Sequence, residues 1–174
     1  MENKHVYEHP MQPQKLSSEP SHSPALQLLQ IVSFKVGDEE FGLDILSVQE
    51  IIRLQDLTRV PNSPDFVDGV INLRGKVIPV IALRKRFGLP EQDHDKQTRI
   101  VVLEIKSIVV GLIVDSVSEV LRIPASAVVP PPRLGTIEQE FVAGVGKLED
   151  RLLILLDVER IVSVPNLRTA AAEA

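Results

Sequence analysis

The sequence predicts an all-β fold in which one small barrel is built twice. Three observations carry that reading. The apolar segments are short, rich in Val, Ile and Leu, and interrupted by Gly, Pro, Asp and Asn at the spacing of strands and turns. The pattern of segments occurs twice along the chain. Runs such as Ile108–Val114 and Leu152–Leu156 are apolar without alternation, as expected of strands covered on both faces.

The repeat sets the register of the elements. Gln30–Phe34 lies over Arg99–Leu103 at an offset of 69 residues, and Phe41-Gly42-Leu43 then lies over Val110-Gly111-Leu112. Val48–Arg53 lies over Val117–Arg122, and Val60-Pro61 over Val129-Pro130. The second copy then carries an insertion with Pro130-Pro131-Pro132 and Gly135, after which the match resumes at an offset of 75. Phe66–Val70 falls on Phe141–Val145, Leu73 on Leu148, and Val77–Ile81 on Leu152–Leu156. A polar linker, Gln92 to Thr98, joins the copies.

Each copy reads as about five strands. Val36-Gly37-Asp38-Glu39 and Arg74-Gly75-Lys76 are expected hairpin turns, because glycine supplies the positive φ they need. Gly42 and Gly111 sit inside strand patterns and are expected to mark a bulge or a tight barrel corner. Pro79 has no N–H to give a ladder and is expected on an edge strand or at a bulge. Asp44–Ile52 reads mostly as strand, although Ile45, Val48 and Ile52 also fit a helical stripe. Gly144-Val145-Gly146 reads as a strand-end turn. A lone barrel of some 65 residues buries little surface, so the two copies are expected to pack together. The fold class is therefore two pseudo-repeated five-stranded SH3-like barrels sharing a hydrophobic core, with few short helices.

Composition sets the boundaries. Residues 1–27 hold four of the 13 prolines with Ser, Gln, Glu and His and lack an apolar period, so a disordered N-terminal tail is expected there. Residues 28–166 carry the fold, barrel one at about 28–90 and barrel two at about 98–166, with strand exchange between them left open. Residues 167–174 form a C-terminal tail. The absence of cysteine excludes disulfide scaffolds, zinc ribbons and thiol nucleophiles. Nineteen Lys and Arg against 24 Asp and Glu give a net charge of −5, opposite to the footprint of a nucleic-acid binder. No apolar run reaches the ~18 residues of a membrane span, and the first residues do not resemble a signal peptide. A soluble cytoplasmic protein is expected.

Catalytic chemistry is sparse. His5, His9 and His22 lie in the tail and His94 in the polar linker, where flexible imidazoles make poor bases. No P-loop, Gly-x-Ser-x-Gly or His-Glu-x-x-His motif is present. A metal site from His94, Asp93 and Asp95 is weaker than its reading as a solvated linker. Glu50 and Glu119 occupy equivalent positions and read as exposed acids available to a partner rather than as a catalytic pair. The copies differ at one turn: Asn72-Leu73-Arg74-Gly75-Lys76 faces Lys147-Leu148-Glu149-Asp150-Arg151. Arg74 opposite Glu149 reads either as two surfaces that have specialised or as neutral drift of surface charge.

Gly37–Ile45, Val48–Ile51 and Gly69–Val80 together resemble the CheW family of bacterial chemotaxis coupling proteins, and Val110–Asp115 with Val117–Leu121 agrees. The resemblance covers about Leu28 to Val164. It implies two SH3-like barrels around a common core, no enzymatic activity, no cofactor and no metal. The implied partners are the regulatory domain of the histidine kinase CheA and the cytoplasmic helical tip of methyl-accepting chemoreceptors. The implied place is the cytoplasm, recruited to receptor arrays, with no nucleic acid bound and no membrane insertion. The positions matching receptor contacts are Val48, Glu50, Gly69 and Arg74 in copy one and Gly111, Val117 and Val120 in copy two. The valines would line a groove for a receptor helix, with Arg74 and Glu50 supplying charge. Kinase contacts are placed at Arg133 and Leu134 in the 130–137 insertion. The chain departs from the family at Ala82-Leu83-Arg84, where an Asp is usual in place of Ala82, while Asp157 keeps it in copy two. Two other readings stand beside the stand-alone adaptor: a CheW-like module of a CheA or CheV protein, and a small acid–base or metal enzyme using Glu50, Glu119 and His94.

Overall fold

The computed structural model describes residues 27–131 and 139–163. The strands of copy one are β1 (Leu28–Val36), β2 (Glu39–Asp44), β3 (Val48–Arg53), β4 (Val67–Leu73) and β5 (Lys76–Ala82), followed by the short helix α1 (Leu83–Arg86). Copy two holds β6 (Arg99–Ile105), β7 (Ile108–Val114), β8 (Ser116–Pro124), β9 (Val128–Val129), β10 (Val142–Lys147) and β11 (Leu152–Leu156), then α2 (Val158–Val162).

The strands form two sheets, and each sheet draws on both copies. The first has the order β8-β1-β2-β11-β10-β9 and the second β3-β6-β7-β5-β4. Written by position in the repeat, both run third, first, second, fifth, fourth strand, and the first sheet adds β9 beyond the fourth. The hairpin β1–β2 has left its own copy to pair with β8 and, in parallel, with β11. The hairpin β6–β7 makes the reciprocal move onto β3 and β5. Each sheet therefore contains residues of both copies. Closure uses the same device twice. The chain beyond β8 returns as β9 against β10, and beyond β3 it returns at Thr58 against Val70.

The exchange explains the unbroken apolar runs. On β1, Phe34 and Val36 enter the core common to both sheets, while Ile31 points into the first sheet's own core. On β6, Val101 and Leu103 join the common core and Ile100 and Val102 fill the second sheet. β11 divides in the same way, Ile154 and Leu156 against Leu153 and Leu155. Each such strand has two dry faces, so alternation disappears. The common core includes a file of rings from Phe34 through Phe41 and Phe87 to Phe141, with centroids 5.3–5.9 Å apart.

Several sequence expectations change. Within Asp44–Ile52, Ile45–Ser47 forms a 3₁₀ turn rather than strand, with Leu46 N donating to the Asp44 side chain. Gly42 and Gly111 sit in regular ladder positions; a Cβ on Gly111 would come within 2.7 Å of Ile100 Cγ2, so glycine is there to make room. The strand-four bulges fall instead at Asp68 and Ala143, just before Gly69 and Gly144. Gly144-Val145-Gly146 therefore lies within β10 and is not a terminal turn. Pro79 is on the interior strand β5, but the pairing of β5 with β7 begins only at Val80, so the missing N–H falls outside that ladder. The Arg74-Gly75 turn is as expected, with φ of 51° and 83°. The expected tail at residues 1–27 lies, apart from Gln27, outside the described residues, as does the 167–174 tail.

Candidate functional site

The repeat places two equivalent valines at the ends of the common core. Val48, the first residue of β3, and Val117, on β8, are both half-buried and both pack against that core, one from each sheet. Val120 lies farther along β8 and is 55% exposed; its equivalent on β3, Ile51, is 40% exposed. Both strands are the outer members of their sheets. They therefore carry apolar side chains to the surface from both halves of the molecule.

Each outer strand also bears an acid held by an arginine. Glu50 Oε2 accepts from Arg74 Nη2 at 2.8 Å, tying β3 to the β4–β5 turn. Glu119 Oε1 accepts from Arg151 Nη2 at 3.0 Å, tying β8 to the β10–β11 turn. Arg151 is two places beyond Glu149, the residue aligned with Arg74, and restores from a shifted position the pair that Glu149 could not make. It also donates through Nε to Glu40 Oε2 at 2.7 Å, and that bond, with the field of Glu40 and Asp150, holds its pKa above the ordinary arginine range.

The predicted site residues divide into surface and support. Glu50, Gly69 and Gly111 share one transverse row of the second sheet, with register Glu50–Val102–Gly111–Val80–Gly69. Gly69 and Gly111 are buried, so they shape the sheet beneath the surface. Gly69 has φ of +152°, and a Cβ there would lie 2.5 Å from the Thr58 carbonyl oxygen. Val48, Glu50, Arg74, Val117 and Val120 reach the surface. Arg133 and Leu134 lie outside the described residues.

The acid–base reading gains nothing from this geometry. Glu50 and Glu119 are each bound by an arginine of their own half. His94 lines a hollow of about 350 Å³ with Asp68, Arg84, Lys85 and Glu91, and neither Glu50 nor Glu119 lines it. Among the described residues no group of three or more His, Asp or Glu is placed to hold a metal. No helix there is long and apolar enough to cross a membrane.

Sequence reasoning missed three successive cations, Arg84, Lys85 and Arg86, that hold side chains of distant elements. Arg84 donates through Nε to Asp115 Oδ1 at 2.9 Å and through Nη2 to Oδ2. Burial raises the Asp115 pKa, but the bonds from Arg84 and the Gly37 amide outweigh it and lower the carboxyl below its usual range. Lys85 holds Asp68 at 2.7 Å, and that bond raises its own pKa. Arg86 lies over the rings of Phe66 and Phe141 at 4.3 and 4.7 Å. These contacts join residues at least 17 positions apart, and no local motif announces them.

The fold is a strand-exchanged pair of SH3-like sheets, with an apolar strip and an arginine-held acid on each outer strand. Residues 30–165 match the family described as "CheW-like domain". The chain is 44% identical over 131 residues to the chemotaxis protein CheW of Klebsiella aerogenes, covering 75% of this chain and 79% of that one. It is 38% identical over 135 residues to the chemotaxis protein CheW of Helicobacter pylori, covering 78% and 82%. Among solved structures it resembles the scaffolding protein TtCheW of Thermoanaerobacter tengcongensis, with a TM-score of 0.75, 40% identity, and coverage of 79% and 94%. The chain belongs to the CheW-like domain family.

Proposed function

We propose that this protein is a non-enzymatic chemotaxis adaptor that couples the cytoplasmic helical tips of chemoreceptors to the regulatory domain of the histidine kinase CheA. The observation that carries the reading is the placement of Val48 and Val117, equivalent residues of different sheets, on one common core beside the Glu50–Arg74 pair. An amphipathic receptor helix laid across β3 and β8 would bury its apolar stripe on these valines and on Val120, with its polar flank toward Arg74. Gly69 and Gly111 would act by shape. The chemotaxis and scaffolding names of the relatives support the reading. The protein works in the cytoplasm and is recruited to receptor-bearing membranes through this surface. Kinase contact is assigned to the insertion that carries Arg133 and Leu134.

Co-sedimentation with receptor-bearing membranes, with and without the kinase, tests the proposal. Kinase that pellets only when this protein is present establishes the bridge. A protein that stays in the supernatant at low salt with both partners present overturns it.

A further inference from the structure

We propose that the Arg84–Asp115 pair is a positioning clasp for the binding surface: it sets how β8, carrying Val117, stands relative to β3, carrying Val48. The inference deepens the receptor-binding reading and rests on it for its functional half. Asp115 is the residue at which the chain crosses from β7 in the second sheet to β8 in the first. Its carboxylate receives two bonds from Arg84, on the helix that follows β5 of the second sheet. Its Oδ2 also accepts from Gly37 N at 2.8 Å, in the β1–β2 turn of the first sheet. Its own N–H donates to Lys35 O at 2.9 Å. One carboxylate thus fastens both sheets at a point two residues before Val117. Arg84 further donates through Nη1 to Pro90 O at 2.9 Å and through Nη2 to Gln92 Oε1, fastening the linker to the same node.

Among the described residues the opposite crossover has no such lock. The repeat sets Leu46 where Asp115 stands, and Leu46 is 89% exposed on the turn between β2 and β3. Glu159, aligned with Arg84, meets Lys106 at 3.2 Å with the side chains 59% and 74% exposed, against 33% and 17% for Asp115 and Arg84. A two-pronged pair shielded from solvent holds geometry that a single exposed pair does not. The molecule is therefore pinned on the β8 side by a shielded two-pronged pair, whereas on the β3 side the strand is held by its ladder to β6 and by the single side-chain bonds Arg74–Glu50 and Gln49–Glu104. The clasp is what gives the two valines a fixed separation.

The chain has no cysteine, so spin labels at Gln49→Cys and Ser118→Cys, both exposed positions, report the β3–β8 distance without background. The full chain, Asp115→Asn and Arg84→Lys are compared by this distance, by thermal denaturation and by sedimentation with receptor membranes. The expected result is a narrow distribution for the parent, a broadened one for Asp115→Asn with a several-fold weaker receptor interaction while the protein stays folded, and an intermediate state for Arg84→Lys. A merely structural role would lower the melting temperature and leave the distance in the folded protein unchanged. An unchanged distribution in Asp115→Asn, or a broadened one with full receptor binding, overturns the proposal. If Asp115→Asn fails to fold, Arg84→Lys carries the same comparison. Because the distance needs no receptor, a parent protein that never binds receptor membranes overturns the functional reading separately.

Discussion

Arg74 and Glu50 are joined at 2.8 Å across the mouth of the second sheet, and Arg151 with Glu119 repeats the relationship in the first sheet at 3.0 Å. The two arginines are not aligned by the repeat. The second half recovered the contact from a neighbouring position, and there the arginine also serves Glu40, whose side chain is only 12% exposed.

Arg74→Ala is expected to weaken receptor coupling while changing stability by less than ~0.5 kcal/mol, since its side chain is 77% exposed. Glu149→Ala should do little to either. Arg151→Ala should lower stability more than Arg74→Ala, because it strands the shielded Glu40 carboxylate. Denaturant titration with the sedimentation assay checks all three, and equal receptor defects for Arg74→Ala and Glu149→Ala would remove the specialisation of the first turn.

Gly69→Ala should be more damaging than Gly111→Ala, and both should cost upwards of about 1 kcal/mol. The added methyl at Gly69 meets a backbone oxygen at 2.5 Å, with φ at +152°, whereas at Gly111 it meets a side-chain methyl, Ile100 Cγ2, at 2.7 Å. Thermal denaturation decides this; Gly111→Ala as the less stable variant would contradict it. Receptor defects at either glycine are then expected to follow the loss of sheet geometry.

The Asp115 carboxyl is depressed in the folded protein, so its stabilisation is present at neutral pH, above the unfolded carboxylate value of about 3.9. It is lost as pH falls through that value toward the lower folded one. The stability gap between the parent and Asp115→Asn should therefore be full at pH 7 and close progressively below about pH 4. Urea midpoints measured across that range check it, and a gap independent of pH would show that the charge contributes nothing.

Arg86 stacks between Phe66 and Phe141, which the repeat makes equivalent, and its Nε donates to Ile161 O at 3.2 Å. Lysine keeps the charge but not the plane, so Arg86→Lys should cost about 1 kcal/mol by chemical denaturation. A Lys variant as stable as the parent would leave the stacking without energetic weight.

Asp157 caps α2 by accepting from Arg160 N at 3.3 Å. Ala82, the departure from the family pattern, gives α1 no side-chain cap. Asp157→Ala should cost about 1 kcal/mol and leave receptor binding intact. A variant with unchanged melting temperature would show that packing of Val158, Ile161 and Val162 alone holds the helix.

The sequence by itself determined the all-β class, the duplication at offsets of 69 and 75 residues, and the common apolar core; it did not show β9 or the 3₁₀ turn at Ile45–Ser47. Class, duplication and core follow from local signals: Gly37 and Gly75 where turns need positive φ, and apolar runs with no wet face. It also marked Val48, Val117 and the Glu50–Arg74 surface, through the family resemblance. Only the tertiary structure decided which sheet each strand joins. The hairpins β1–β2 and β6–β7 carry equivalent apolar patterns, so either could have paired within its own copy, and their exchange is settled by ladders between residues up to 113 positions apart, such as Phe41 beside Ile154. The same holds for charge. Arg151 and Glu40 are separated by 111 residues, and Arg84 and Asp115 by 31. Ion pairs need only meet in space, so the chain gives no period or spacing by which to foresee them.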